Sequence, residues 1–433
     1  MQREAVELAQ ELIRIDTSNP PGGERPAAEL LLRYLEGAGV ECELTGPDPD
    51  RPNLVARIAG SGEGPSLALC GHTDVVPADA SGWAQPPFAG HVDADGWLWG
   101  RGAVDMKNET ATRAVAIATL AREGFRPRGD LLLIAQSDEE DGRAAVGMRW
   151  LVRNRPDLRV DYALDEGGGA RLALADGRVL VTIEAGQKAT LPVQLTALGV
   201  AGHASAPHTA ANAVPRLATL VSRVAAYRPR RRTLPATRLM LETALDAPLD
   251  GDLDAAIERA AALHPFFAHQ LPALYSTTMA PTRLAGSGAL NVMPARAVAE
   301  VDCRVLPGAT AAELEAELRE ALGDDLPYEL AWLDELTGGE LSAVASPLFA
   351  ACQGFLDGAD PGARLMPVIS TGFADSNYLR AAWGTVAYGF WPFRTTPLPV
   401  YEGGFHNRDE RIHVDDLGYA LRAQRDVARA LLG

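Results

Sequence analysis

Ser66-Leu67-Ala68-Leu69-Cys70-Gly71-His72-Thr73-Asp74 sets an apolar run directly before a histidine and an aspartate. Residues 67–70 read as a buried strand, because a short apolar stretch of this length is too brief for an ordinary helix. Working outward, 54–58 and 130–136 read as further strands, and 106–123 as a helix with Ala, Val, Ile and Leu at helical spacing. Upstream lie an amphipathic helix over 1–16, a loop at Asn19-Pro20-Pro21-Gly22-Gly23, and a second helix over 27–38 closed by Gly39. Leu172-Ala173-Leu174-Ala175, Asp176-Gly177 and the run 179–183 predict a hairpin. Mixed strand and helix order of this kind predicts an α/β fold, a central mixed sheet with helices on both faces. Gly60-Ser61-Gly62-Glu63-Gly64-Pro65 superficially suggests a phosphate loop, but a strand follows it rather than a helix N-terminus, so it reads as a turn.

From about residue 187 the pattern changes. A strand at 190–197, a helix at 211–226, strands near 275–284 and 297–305, a helix at 311–322 and a strand at 328–332 give the order β-α-β-β-α-β of a ferredoxin-like unit. Residues 228–274 form an excursion within it, partly helical over 252–263. The strand and helix alternation resumes near Leu341 and contains His406. The expected organisation is therefore a catalytic unit made of 1–186 and 338–433, interrupted by an inserted α+β unit at 187–337. An active site in such a chain is assembled from both ends.

Composition narrows the partners. A chain of 433 residues with 47% hydrophobic residues is long enough for two cores. Forty basic against 57 acidic residues, net charge −17, argue against nucleic acid or an anionic membrane surface, both of which need a positive footprint. The run Arg228-Pro229-Arg230-Arg231-Arg232 reads as a solvated loop, since it lacks interleaved aromatics. Cys42, Cys70, Cys303 and Cys352 are widely spaced with no C-x-x-C pair, which suits buried thiols in a reducing compartment. Cys70 reads as a small strand residue, with metal ligation the competing possibility. The first helix lacks a basic segment and an unbroken apolar core, and no apolar stretch is long enough to span a bilayer, so the expected location is the cytoplasm.

Histidine is scarce, eight in the chain, and the acidic and histidine clusters each follow a predicted strand: His72 and Asp74, Asp138-Glu139-Glu140, and Asp165-Glu166. In open α/β sheets ligands gather beyond the carboxyl ends of strands, where independent segments converge. Asp105 joins them from Gly100-Arg101-Gly102-Ala103-Val104-Asp105-Met106-Lys107, whose glycines permit a tight turn before a helix. Singly, a histidine after a strand can be structural and an acidic triplet can be a solvated loop. Jointly, two histidines with Asp105, Glu140 and Glu166 supply five N and O ligands, enough for two borderline divalent ions if one carboxylate bridges.

These segments, with Leu164-Asp165-Glu166-Gly167 and Gly202-His203-Ala204-Ser205, closely resemble the M20 metallopeptidases, among them aminoacylases, carboxypeptidases, acetylornithine deacetylase and succinyl-diaminopimelate desuccinylase. The resemblance runs in order from about residue 5 to 415 and implies a zinc-peptidase-like catalytic domain with an inserted lid and dimerisation domain. It implies one Zn²⁺ on His72, Asp105 and Glu166 and a second on Asp105, Glu140 and His406, with Co²⁺ or Mn²⁺ as other ions such a site takes. Asp74 would orient His72. Glu139 would be the general base that activates water at the metal pair and returns the proton to the leaving amine. Glu166 is preferred to Asp165 as ligand because Ala163-Leu164-Asp165-Glu166-Gly167 matches the aminoacylase form.

The resemblance further implies a homodimer through the lid, in which His203 of one copy stabilises the oxyanion in the other. Asn291 and Arg304 resemble the family's binders of a substrate carboxylate, a task that suits the two-pronged guanidinium. Ser370, Thr371 and Gly372 match a loop of the same pocket, although Phe373-Ala374 departs from the small or hydroxyl residues common there. The implied activity is hydrolysis of a peptide or N-acyl amide bond beside a free carboxylate. Carboxypeptidase or dipeptidase action and deacylation of an N-acyl amino acid stand as alternatives, with a non-catalytic binding protein of the same fold more remote. The excursion and Tyr388-Gly389-Phe390 lean toward the carboxypeptidase and aminoacylase branch.

Overall fold

The computed structural model describes residues 1–249 and 251–433; of the 228–274 excursion, only position 250 lies outside them. Its larger sheet has nine strands. Eight run in the spatial order Glu41–Thr45, Asn53–Ile58, Leu131–Gln136, Leu67–His72, Tyr162–Asp165, Val386–Gly389, Val179–Gln187 and Ala363–Ser370, and Arg171–Ala173 pairs with Val179–Gln187 as the predicted hairpin. The first pairs are antiparallel, whereas Leu67–His72 runs parallel to both its neighbours. The sheet is mixed, as the sequence predicts.

Side chains along these strands alternate between two cores. Leu67 and Leu69, with Leu131, Leu133 and Ala135, face a core shared with helices Gln2–Arg14, Lys107–Arg122 and Val414–Leu432. Ala68 and Cys70, with Leu132 and Ile134, face the opposite core, where Met148, Leu151, Leu379 and Trp383 of helices Met148–Asn154 and Ser376–Trp383 close over them. The continuous apolar runs thus record burial on both faces. Cys70 belongs to that second core, and burial pushes its thiol well above the usual range, so it is a small strand residue and not a ligand. Helix Gln2–Arg14 buries Ala5, Leu8, Ala9, Leu12 and Ile13, an i, i+3, i+4 stripe. Removing Leu8, Leu12 and Ile13 from water stabilises it by roughly 1.5–3 kcal/mol each.

The smaller sheet has five strands: Ala189–Thr190 and Val193–Leu198 both pair antiparallel with Arg296–Val305, which also carries Thr278–Ala285, while Tyr328–Trp332 flanks Val193–Leu198. The single strand expected over 190–197 is divided because Pro192 has no N–H to give the ladder. Arg296–Val305 alternates strictly between buried and accessible residues, and Leu217, Leu220, Leu314 and Leu318 of helices Ala213–Ala226 and Ala311–Leu322 cover the buried face.

The excursion supplies three helices, Pro235–Leu245, Leu253–Leu263 and Pro265–Leu274. Their Met240, Leu241, Phe267 and Leu271 enter the core of the larger sheet, so residues 187–337 are not one packing unit. The arginine run joins the two regions as a loop in which three of the four cations are paired, Arg230 with Glu320 at 3.3 Å, Arg231 with Asp254, and Arg232 with Glu313 at 3.5 Å, while Arg228 donates to the carbonyls of Ala226 and Tyr227. Among the described residues, no helix is long and apolar enough to cross a membrane.

Candidate active site

Leu67–His72 continues two residues beyond the expected end, which makes His72 the last residue of a central strand. The neighbouring strand Tyr162–Asp165 ends beside Glu166. Asp105 reaches the same sheet edge on a tight loop. Gly102 there has φ +89°, and a Cβ on it would lie 2.9 Å from the Lys107 side chain. Lys107 is wholly buried and donates to the carbonyls of Leu12 at 3.0 Å and Ile15 at 2.7 Å, tying the loop to the C-terminus of the first helix. Asp138, ahead of the two glutamates, and His406 have φ of +62° and +54°. Such a backbone costs a non-glycine residue about 1–3 kcal/mol and persists only where the surroundings impose it. Around Asp138 the surroundings are evident: its carboxylate accepts from Asn19 and Arg51, each at 3.2 Å, and Arg51 is also paired with buried Glu24 at 2.6 Å.

These loops bring the ligand candidates together. His72 Nε2 lies 3.0 Å from Asp105 Oδ1 and 3.6 Å from Glu166 Oε2; His406 Nε2 lies 3.3 Å from Asp105 Oδ2 and 3.1 Å from Glu140 Oε2. The two oxygens of Asp105 therefore face different imidazoles. Ligand-capable atoms within 4.8 Å of one another also group His72 with Asp105 and Glu140, and His72 with Glu139 and Glu166. Asp165 is absent from both groups; its carboxylate accepts from Ser376 N at 2.7 Å, on the other side of the strand end. His72 Nδ1 sits 2.9 Å from the Asp74 carbonyl and 3.5 Å from its carboxylate. Both can only accept, so Nδ1 carries a proton, and Nε2, which faces Asp105 and Glu166, is the nitrogen that would bind an ion. The Asp74 carboxylate also accepts from the backbone N–H of Glu139 at 3.3 Å and of Glu140 at 3.1 Å, and so fixes both glutamates.

The electrostatics suit a cation site. Burial, then Glu166, pushes the Glu139 carboxyl well above the usual range; burial and Asp105 raise Glu140 to about 7; burial also raises Glu166. Burial opposes a charge on His72, yet Asp105, Asp74 and Glu166 hold its pKa well above that of free imidazole, and Asp105 and Glu140 raise His406 to about 10. Four carboxyls thus crowd around two imidazoles that must take up protons to offset them. A pair of divalent cations relieves this repulsion, and the N and O donor set fits zinc or a similar ion.

A cavity of about 540 Å³ opens on Asp105, Glu139, Glu140, Glu166 and His406. Ser370, Thr371 and Gly372 line it, and Arg304 reaches it from the smaller sheet. Phe373 and Ala374 line it too, so the departure from the family's small or hydroxyl residues falls on the cavity wall. His203 and Asn291 are not among its lining residues. They lie together on an exposed two-stranded ribbon, where Gly202–His203 pairs with Val292–Met293 and Ala204 N donates to Asn291 O at 3.0 Å.

Sequence reasoning missed the groups behind the ligands. Glu410, wholly buried, accepts from the backbone N–H of Gly102 at 3.0 Å, Val104 at 2.7 Å and Asp105 at 3.0 Å, and from Arg101 at 2.7 Å. Arg101 also donates to Asn407 O at 3.1 Å, so one buried pair holds both the Asp105 loop and the segment after His406. The only signal in the sequence is an acid four residues beyond a ligand histidine, which is weak.

The chain matches the family described as peptidase family M20/M25/M40 over residues 68–430. It is 30% identical over 432 residues to a succinyl-diaminopimelate desuccinylase of Cereibacter sphaeroides, covering 96% of this chain and 95% of that protein. Among solved structures it superposes on an M20 family metallo-carboxypeptidase from Sulfolobus solfataricus with a TM-score of 0.71 and 21% identity, over 99% of both chains. Human carnosine dipeptidase 1 gives a TM-score of 0.70 at 15% identity, over 100% of this chain and 97% of that one.

Proposed function

Since the chain belongs to peptidase family M20/M25/M40 and is a hydrolase of amide bonds, we propose that it cleaves an N-acyl or peptide bond beside a free carboxylate, with two zinc ions as cofactor. His72, Asp105 and Glu166 would hold one ion and Asp105, Glu140 and His406 the other. The observation that carries this reading is Asp105, whose two oxygens are turned to the two separate imidazoles. When bound, the ions polarise the scissile carbonyl and acidify water. Glu139, on the cavity wall, takes the proton of the attacking water and delivers it to the departing nitrogen. Arg304 lines the cavity while its Nε and Nη2 donate to Asp302 at 2.8 and 3.1 Å, and its remaining N–H groups would hold the substrate carboxylate. Between the alternatives, the relative matched along nearly the whole chain is named for deacylation, which favours an N-acyl amino acid over a peptide.

Chelation tests this reading. Protein stripped of metal is expected to lose hydrolysis of N-acyl amino acids and to regain it with zinc or cobalt, and the C-terminal carboxamide of the same substrate to be turned over poorly. Activity indifferent to chelation, or equal on acid and carboxamide, contradicts it.

The proposed assembly is a homodimer in which His203 acts in the other copy's site. Supporting it, His203 is exposed, its Nδ1 is engaged by Ser205 Oγ at 2.7 Å, and its Nε2 remains for a substrate oxygen. Val200, Leu290 and Val292 on the same ribbon are exposed apolar side chains of the kind a partner covers. His203→Ala and Glu139→Gln, each impaired alone, should regain activity when mixed and allowed to exchange subunits, because a mixed dimer holds one complete site. Absence of any recovery after verified exchange would exclude action across the dimer.

A further inference from the structure

A second cavity of about 360 Å³ adjoins the metal cavity, and Gly167, Glu184, Ser370, Thr371, Tyr401 and Phe405 line both. The two are thus neighbours along a shared set of residues, and we treat the second as a branch of the first. Phe266, Leu274, Val368, Ile369 and Leu398 make its further walls apolar. Phe266 and Leu274 come from the last helix of the 228–274 excursion, which packs against the core of the larger sheet.

Its charge is as informative as its shape. Among the described residues that line it there is no arginine, lysine or histidine, whereas Glu184 and Glu402 are present. Arg304 lines the metal cavity and a third cavity of about 240 Å³ that also borders Glu139, but not this one. The third cavity carries Arg143 and Arg149 beside Arg304 and so is the cationic side; a substrate with its carboxylate there and its amide at Glu139 has its acyl half left to place, and the apolar cavity is the adjoining space whose described lining holds no cation. A volume of this size is at the lower end of what small-ligand pockets offer, about 300–1,000 Å³.

Resting on the amide-hydrolase reading above, we infer that this branch is the acyl subsite and that it selects an uncharged, apolar acyl group, aliphatic or aromatic, over one that ends in a carboxylate. Apolar walls take a phenyl or alkyl group out of water, while a second carboxylate would be desolvated there with no cation among the described lining residues to receive it. The chain is thereby set apart from a desuccinylase, whose acyl group is itself an acid.

The test compares the N-acetyl, N-phenylacetyl and N-succinyl forms of one amino acid with the zinc-loaded enzyme. We expect kcat/KM to rise about tenfold or more from acetyl to phenylacetyl, the discrimination an apolar pocket supplies, and to fall below the acetyl value for succinyl. Glu402 is exposed, so Glu402→Lys should fold, and it should raise the succinyl-to-phenylacetyl ratio about tenfold by placing a cation on the cavity. Gln270→Trp, which fills the branch from the half-buried side of its helix, should lower the phenylacetyl-to-acetyl ratio. Succinyl turnover equal to or above phenylacetyl, or ratios that neither substitution moves, overturns the acyl assignment while amide hydrolysis stands. Failure to hydrolyse any of the three overturns the underlying reading as well.

Discussion

Glu139→Gln is expected to lower kcat by about 10²–10⁴-fold, the contribution of a well-placed acid–base group, while bound zinc stays at the wild-type ratio. The second half of the expectation is the informative one. Glu139 lies 3.9 Å from His72 Nε2 and forms a metal-capable group with His72 and Glu166, so proximity alone does not separate a base from a ligand. Distances lean toward the base, because Asp105 and Glu166 both stand closer to the same nitrogen, at 3.0 and 3.6 Å. Glutamine retains the volume and the backbone N–H held by Asp74 but cannot accept and return a proton. Kinetics and metal analysis on one preparation separate the roles: zinc lost together with activity would make Glu139 a ligand, and near-normal turnover would remove it from the mechanism.

Much of this was legible in the chain because the signals were local. Runs such as Leu131–Gln136 fall on both faces of one sheet, so unbroken apolarity is the correct signature of a strand buried on two sides. His72, Asp105, Glu140 and Glu166 each stood where a strand or a glycine turn delivers a side chain to the sheet edge, whereas the ligand role of His406 rested on the family resemblance. The excursion was different: its helices alternate apolar and polar residues like any others, and nothing local states which of two cores takes Met240 or Phe267. The break at Pro192 could have been read, since proline offers no ladder donor, and was hidden by the apolar residues around it. Least legible were groups whose role is made by distant backbone. Asp74 serves the N–H groups of Glu139 and Glu140 across 65 and 66 positions, and Glu410 serves those of 102, 104 and 105 across more than 300. A carboxylate that satisfies main-chain donors leaves no residue-type pattern at its partner's end.

Glu410 carries the second large expectation. Glu410→Ala would strand three backbone N–H groups and the Arg101 guanidinium in a region closed to water. Removing one member of a buried ion pair costs about 3–5 kcal/mol, because the remaining charge is left without a partner. Loss of stability alone would describe many core residues; the position of this one implies more. The three N–H groups belong to the turn that aims Asp105 at both imidazoles, and Arg101 also holds the carbonyl of Asn407, next to His406. Groups that orient metal ligands from behind typically change metal affinity by about 10–100-fold when removed. Two readouts are therefore expected to move together in Glu410→Ala, a lower denaturation midpoint and weaker zinc retention under competition with a chelator. Glu410→Gln divides them further: its carbonyl oxygen still accepts from the turn, so it should recover much of the midpoint, while the uncharged amide leaves Arg101 unpaired and zinc retention below wild type. Wild-type zinc retention in both variants, measured where they remain folded, would show that the Asp105 turn keeps its geometry without Glu410 and would reduce that residue to a structural role.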